Sequence, residues 1–207
     1  MNLAVRSTPV EHAPATRVSP SRERPWQEPL LRLLAVMEVR HRGLRNHAER
    51  VESCSMKVAA GMGIIGERLL CLQIASLLHD VGKIGLPPTI VDKAGRFSPE
   101  EFAVMKTHCA RGEVIMRELG LPAGASRFVR SHHERFDGNG YPDGLQGDEI
   151  PPEATILAVA DAYVALTEDR PCRPALSCRM AVDWVATLSG IRFDPEVVRC
   201  FLGVWRL

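Results

Sequence analysis

An all-α helical bundle is the fold class this sequence predicts, on three observations. Apolar residues recur at three- and four-residue intervals along most of the chain, no segment alternates apolar and polar residues as a half-buried strand would, and helix-start signals stand at Ser98, Ser177 and Asp194. With 45% hydrophobic residues and only 5% aromatic ones, the core is built mainly from Leu, Val, Ala and Ile, and 207 residues suffice for one domain of useful size.

Residues 1–28 carry Pro9, Pro14, Pro20 and Pro25 among Ser, Thr, Arg and Glu. That composition buries too little apolar area to offset the entropy of ordering, so the segment reads as a disordered tail and residues 29–207 as the domain. Leu30, Leu33, Leu34 and Met37 mark the first helix, whose apolar face can pack on the domain or on a second copy of the chain, which leaves a homodimer open. Arg40-His41-Arg42-Gly43 breaks it. His47, Val51, Val58 and Met62 then put His47 on the apolar face of a second helix. Leu70, Ile74, Leu77, Leu78 and Val81 form a third face, which His79 and Asp80 close.

Ser98-Pro99-Glu100-Glu101 combines a capping serine, a proline at the first helical position and a glutamate three residues after the cap. The helix it opens is expected to run through His108, with Val104, Ile115 and Leu119 on the same side, as far as Leu121-Pro122. Phe128, Val129, His132, His133 and Phe136 make the inward face of the next helix, which the sequence ends at Asp137-Gly138-Asn139-Gly140. From Tyr141 to Pro151 the chain is rich in Gly and Pro and longer than a plain helix connector needs to be. Pro152 starts the most uniformly apolar helix, in which Asp161 is embedded, and two capped helices from Ser177 and Asp194 complete the chain.

The 26 basic and 25 acidic residues nearly cancel, so there is no field to hold a long polyanion: nucleic acid and anionic membrane are excluded as main partners, while a small charged ligand is not. No run approaches the ~20 apolar residues of a membrane span. The six cysteines are scattered without a Cys-x-x-Cys pair, which indicates reduced thiols and a cytoplasmic location.

Five of the seven histidines, His47, His79, His108, His132 and His133, fall on apolar helical faces. One such histidine is ordinarily a hydrogen-bonded core residue. Five of them, with Asp80 and Asp161, would cost roughly 1 to 3 kcal/mol for each polar group left unsatisfied. A shared metal centre removes that cost. Seven N and O donors exceed one tetrahedral ion and suit two ions bridged by a carboxylate, with Asp80 the natural bridge. Paired ions make hydroxide available near neutral pH and stabilise the attacking and leaving oxygens of a displacement at phosphorus, so phosphoester hydrolysis is the matching reaction class. Lys83, Arg170 and Arg173 are candidate donors to phosphate oxygens, against the plainer reading of each as a solvated cation.

From about Arg40 to Val204 the chain resembles the HD-GYP family, a branch of the HD metal-dependent phosphohydrolases. The motifs that carry the resemblance are HDVGKIGLPPTIVDKAGRFSPEE from His79, MKTH ending at His108, HHERFDGNGYPDGLQGDEIP from His132 and VADAYVALTEDRP around Asp161. The resemblance implies a helical domain that hydrolyses the bacterial second messenger cyclic di-GMP to linear pGpG, GMP or both. It implies two divalent ions, iron or manganese before zinc, with magnesium, nickel and cobalt left open. By the family's pattern one ion takes His47, His79, Asp80 and Asp161, the other Asp80, His108, His132 and His133. Asp80 and Lys83 then count as catalytic, and Lys83, Tyr141, Arg170 and Arg173 as substrate contacts. The loop containing Gly140-Tyr141-Pro142 serves, by the same resemblance, substrate binding or contact with a diguanylate cyclase.

Three departures from the family pattern carry expectations. Gly43 stands where members with three metals have a glutamate, so two ions are expected. Val164 replaces a family aspartate three residues after Asp161, on roughly the same helix face, and this should slow turnover. Cys172 replaces the tyrosine usual after the Arg-Pro pair. The competing functions are therefore a module that binds cyclic di-GMP or a partner with little turnover, and an HD hydrolase of ordinary nucleotides.

Overall fold

The computed structural model describes residues 24–40, 43–169 and 174–205, so the predicted tail lies outside the described residues as far as position 23, as do Arg170, Cys172 and Arg173. Ten α-helices and two short 3-10 turns occur among the described residues, with no β-strand, as the hydrophobic periodicity predicts. Helix α1 (Gln27–Arg40) begins inside the segment read as tail, because Pro29 sits in the first turn, where a missing N–H costs nothing. It buries Leu33, Leu34 and Met37 against α2 (Leu44–Gly61), α3 (Gly66–Leu78) and the 3-10 turn Val81–Gly85. The domain itself therefore covers this face.

Helices α2 and α3, together with α7 (Ala123–Ser131) and α8 (Pro152–Leu166), enclose a core that includes Val58, Leu72, Ile74, Leu78, Val129 and Ile156. After the short α4 (Pro88–Val91), α5 (Pro99–Lys106) starts from the predicted capping box: Ser98 Oγ accepts from Glu101 N–H, and Ser98 N–H donates to the Glu101 carboxylate. Helices α9 (Cys178–Thr187) and α10 (Pro195–Val204) are capped by Ser177 and Asp194, and α10 packs Phe201 against Tyr163 of α8.

Two predicted helices end early. The helix expected to run through His108 breaks at Thr107, so His108 opens a separate α6 (His108–Glu118). Side chains compete with the helix ladder there: Thr107 Oγ1 donates to the Val104 carbonyl at 2.7 Å, and His108 Nδ1 bonds the Met105 carbonyl at 2.7 Å. Likewise α7 stops at Ser131, before the tandem histidines. His132 Nδ1 bonds the Val129 carbonyl at 2.6 Å, and the chain turns as Glu134 N–H donates to the Ser131 carbonyl.

The 3-10 turn after Asp80 is seated directly on α6. A Cβ on Gly82 would lie 1.9 Å from the His108 carbonyl oxygen, so only glycine allows this approach.

Candidate metal centre

Every predicted nitrogen and oxygen donor arrives at one place from a helix end or a helix interior. His47 comes from α2 and Asp161 from α8; His79 and Asp80 follow the last residue of α3; His108 opens α6; and His132 and His133 follow α7. The imidazoles form a continuous chain, with ring centroids 5.3 Å apart for His47–His79, 5.4 Å for His79–His132 and for His108–His132, and 5.1 Å for His108–His133. Asp80 lies between the two ends of the chain. Its Oδ2 is 3.5 Å from His79 Nε2 and its Oδ1 is 3.6 Å from His108 Nε2. Asp161 Oδ1 is 3.2 Å from His47 Nε2 and 3.9 Å from His79 Nε2.

Three of the rings are oriented by one repeated device. Nδ1 of His79, His108 and His132 bonds the backbone carbonyl three residues upstream, at 2.9, 2.7 and 2.6 Å. A carbonyl only accepts, so Nδ1 must carry the hydrogen and Nε2 keeps its lone pair for an ion. His79 Nε2 and His132 Nε2 are buried without a hydrogen-bond partner among the described residues. Orphaned ring nitrogens with free lone pairs beside ionised carboxylates are what a divalent cation fits, and the donor set is adequate to hold one.

The electrostatics agree. Burial opposes ionisation of Asp80, yet the Lys83 ammonium and then His79 hold its carboxyl well below the usual range. Asp161 is likewise opposed by burial and held low by its bond from His47. Burial depresses His108 to about 4 and His132 to about 3, which keeps both rings neutral at pH 7. His47 behaves oppositely: burial lowers its pKa, but bonds to Asp161 and Glu168 raise it to about 9.

The cluster floors a cavity of about 1050 Å³, whose wall also carries Lys83, Tyr141, Arg50, Trp184 and Arg192. Lys83 Nζ is 2.6 Å from Asp80 Oδ2. Tyr141 lies against His133 with ring centroids 5.0 Å apart, and burial raises its pKa, so the phenol keeps its proton.

A family model described as HD domain matches residues 31–197. The chain is 40% identical over 168 residues to "Cyclic di-GMP phosphodiesterase" of Thermotoga maritima, an alignment covering 80% of this chain and 45% of that protein. The chain belongs to the HD domain family, in its HD-GYP branch. Another HD relative, "3'3'-cGAMP-specific phosphodiesterase 2" of Vibrio cholerae, is 32% identical over 181 residues, 86% of this chain and 35% of that protein. The chain thus spans less than half the length of these curated HD relatives. Among solved structures, Bd1817, a HDG"Y"P protein from Bdellovibrio bacteriovorus, shares the HD fold with a TM-score of 0.65 at 20% identity, over 84% of this chain and 57% of that one.

Against the HD-GYP pattern, position 164 is set back from the cavity wall. Val164 is 2% exposed within the hydrophobic core, and the cavity wall after Asp161 is formed by Ala162 and Ala165 instead. Residues three and four positions on diverge by roughly 100° around a helix, and the HD cavity takes the second of them. Gly43, in contrast, does line the cavity, with φ of 89° at the N-terminus of α2.

Sequence reasoning missed three contributors. Glu168, seven residues after Asp161, places Oε2 2.8 Å from His47 Nδ1 and Oε1 2.8 Å from Arg50 Nη1; the two-turn spacing from Asp161 was its only signal. Glu134 holds the loop that follows the tandem histidines, its carboxylate accepting from Asp143 N–H at 2.7 Å and Leu145 N–H at 3.2 Å. Cys109 places Sγ 3.5 Å from His108 Nε2, where the sequence offered only a buried thiol.

Proposed function

We propose that this domain is a metal-dependent cyclic di-GMP phosphodiesterase, adding water across a phosphodiester bond so that the phosphorus–oxygen bond to one ribose 3′-oxygen breaks. The observation that carries the reading is Asp80, which presents one carboxylate oxygen to the His79 side and the other to the His108 side of a cluster with two orphaned ring nitrogens. The curated relatives named as cyclic dinucleotide phosphodiesterases support the substrate class. His47, His79, Asp80 and Asp161 would hold one divalent ion, and Asp80, His108, His132 and His133 a second. Ions so held lower the pKa of water toward neutrality and offset charge on the phosphoryl oxygens.

The protein's own part is preorganisation. Carbonyl bonds to three Nδ1 atoms keep the rings in the metal-binding tautomer before any ion arrives, and the ionised Asp80 and Asp161 supply the countercharge. Lys83 is bonded to Asp80 Oδ2 and faces the same cavity, where its ammonium would serve as a charged donor to a phosphate oxygen. Tyr141, protonated and packed on His133, lines the substrate side of the loop. Pro142, Asp143 and Gly144 at the loop tip are exposed, which leaves that surface to a diguanylate cyclase partner.

Anaerobic loading with iron or manganese, followed by incubation with cyclic di-GMP and chromatography of pGpG and GMP, tests the assignment. Hydrolysis that disappears with Asp80→Asn supports it. A fully metallated protein that leaves cyclic di-GMP intact overturns it.

A further inference from the structure

Four lysine and arginine side chains line the cavity among the described residues, and three of them are already committed to carboxylates: Lys83 to Asp80, Arg50 to Glu168 and Lys93 to Glu101. Arg192 is the exception. Its guanidinium has no ion pair among the described residues; it lies instead 5.8 Å from the Trp184 ring centroid and 5.4 Å from that of Phe193. Burial pulls its pKa down, and the charge of Asp161 across the cavity offsets this only in part, so the guanidinium is partly desolvated with no carboxylate in contact among the described residues.

The backbone that presents Arg192 is pinned on both sides. Its carbonyl accepts from Phe136 N–H at 3.2 Å and the Ile191 carbonyl from Asp137 N–H at 2.9 Å, which ties this segment to the root of the Tyr141 loop. Gly190 N–H donates to the Phe193 carbonyl at 2.8 Å, closing the turn from within. A rigid mount, a planar fork of donors and a half-buried indole thus share one wall of the cavity, facing a metal centre that carries the phosphate chemistry.

A planar donor fork beside an aromatic ring suits a purine better than a phosphate. Guanine offers O6 and N7 as two acceptors on one edge, which an arginine can engage together, whereas adenine replaces the first with an amino donor. An aromatic ring supplies a face on which either base can stack. We propose that Arg192 and Trp184 form a guanine-recognition subsite, with the guanidinium donating to O6 and N7 of one base of a cyclic dinucleotide and the indole packing on its face. The inference rests on the cyclic dinucleotide phosphodiesterase reading and extends it from reaction to base specificity.

The test uses the metal-loaded protein with cyclic di-GMP, 3′3′-cGAMP and cyclic di-AMP, comparing wild type with Arg192→Ala, Arg192→Lys and Trp184→Ala. The first two ligands each present a guanine and the third presents none. Wild type should prefer both over cyclic di-AMP. Arg192→Ala should lower kcat/KM for the guanine-bearing substrates by about 10- to 100-fold, the range of one bidentate base contact, mainly through KM and with metal content unchanged. Activity on cyclic di-AMP should stay within about twofold, so that the preference collapses. Arg192→Lys keeps the charge but loses the fork, and should recover little of it; this variant also serves if the alanine protein does not fold. Trp184→Ala should raise KM for all three, since stacking does not read the edge. An equal loss on all three substrates in the Arg192 variants would mean a phosphate contact and overturn the proposal, as would an unchanged preference. A metallated wild type inactive on every one of the three defeats the phosphodiesterase reading itself, and the subsite falls with it; an active wild type whose preference survives Arg192→Ala defeats the subsite alone.

Discussion

Gly82 and His108 are in such close contact that a methyl group on the glycine would come within 1.9 Å of the histidine's carbonyl oxygen and 2.7 Å of the Gly112 nitrogen. The obstacles are backbone atoms, which cannot swing aside as a side-chain end can. This contact fixes the turn bearing Asp80 and Lys83 against the helix that begins with His108, and so sets the distance between Asp80 and the second group of histidines.

Gly82→Ala should therefore force the turn off α6, at a cost of about 3 kcal/mol or more for overpacking against backbone. Thermal unfolding should shift down by several degrees, and the purified variant should lose metal even where it folds. A variant with wild-type melting temperature and wild-type metal content would show that the turn has more freedom than this contact allows.

Metal analysis of the holoprotein should give two ions per chain. Gly43 is where a third-site glutamate would stand, and at φ of 89° the backbone there is strained for any residue with a side chain. In Asp80→Asn both ions should bind more weakly, because a neutral amide is a poor bridge. A reproducible count of one or three, or full loading of the variant, would contradict the arrangement.

Metal uptake should release protons, chiefly from His47. Above a pKa of about 9 His47 is neutral and free to bind; at pH 7 it is protonated by its contacts with Asp161 and Glu168, and an ion must displace that proton. Affinity should rise with pH up to about 9, with release of about one proton per chain at pH 7. Calorimetry in buffers of different ionisation enthalpy measures this directly, and zero release at pH 7 would show His47 already neutral. Glu168→Gln removes the carboxylate that orients His47 and, measured above pH 9 where the proton no longer competes, should weaken the metal at that end by about 10- to 100-fold without unfolding the domain.

Val164→Asp should destabilise the protein and not accelerate it. The side chain is buried in the core rather than on the cavity wall, and an unpaired carboxylate there costs on the order of 3–5 kcal/mol. Denaturant unfolding beside turnover at equal metal occupancy decides the matter. A well-folded variant with higher activity would return position 164 to the site.

The sequence by itself determined the helical class, the capped starts at Ser98, Ser177 and Asp194, and the inventory of imidazole and carboxylate donors, because periodicity and capping act within a few residues of the chain. It also determined that His79 and Asp80 stand at a helix end, since the glycine beyond them stops the apolar run. Only the tertiary structure decided what those donors face. Periodicity assigned His108 to the helix that starts at Ser98, whereas the side-chain bonds of Thr107 and His108 to nearby carbonyls break it there. Periodicity put Val164 with Asp161, whereas packing of α8 against the core turned the cavity toward Ala165. Glu168 and Arg192 gain their meaning from partners 121 residues away in the first case and from a loop root joined to the backbone in the second, and no local rule relates such positions. A helix pattern gives each side chain a direction; which residue waits in that direction depends on how the helices pack, and that is settled by burial summed over the whole core.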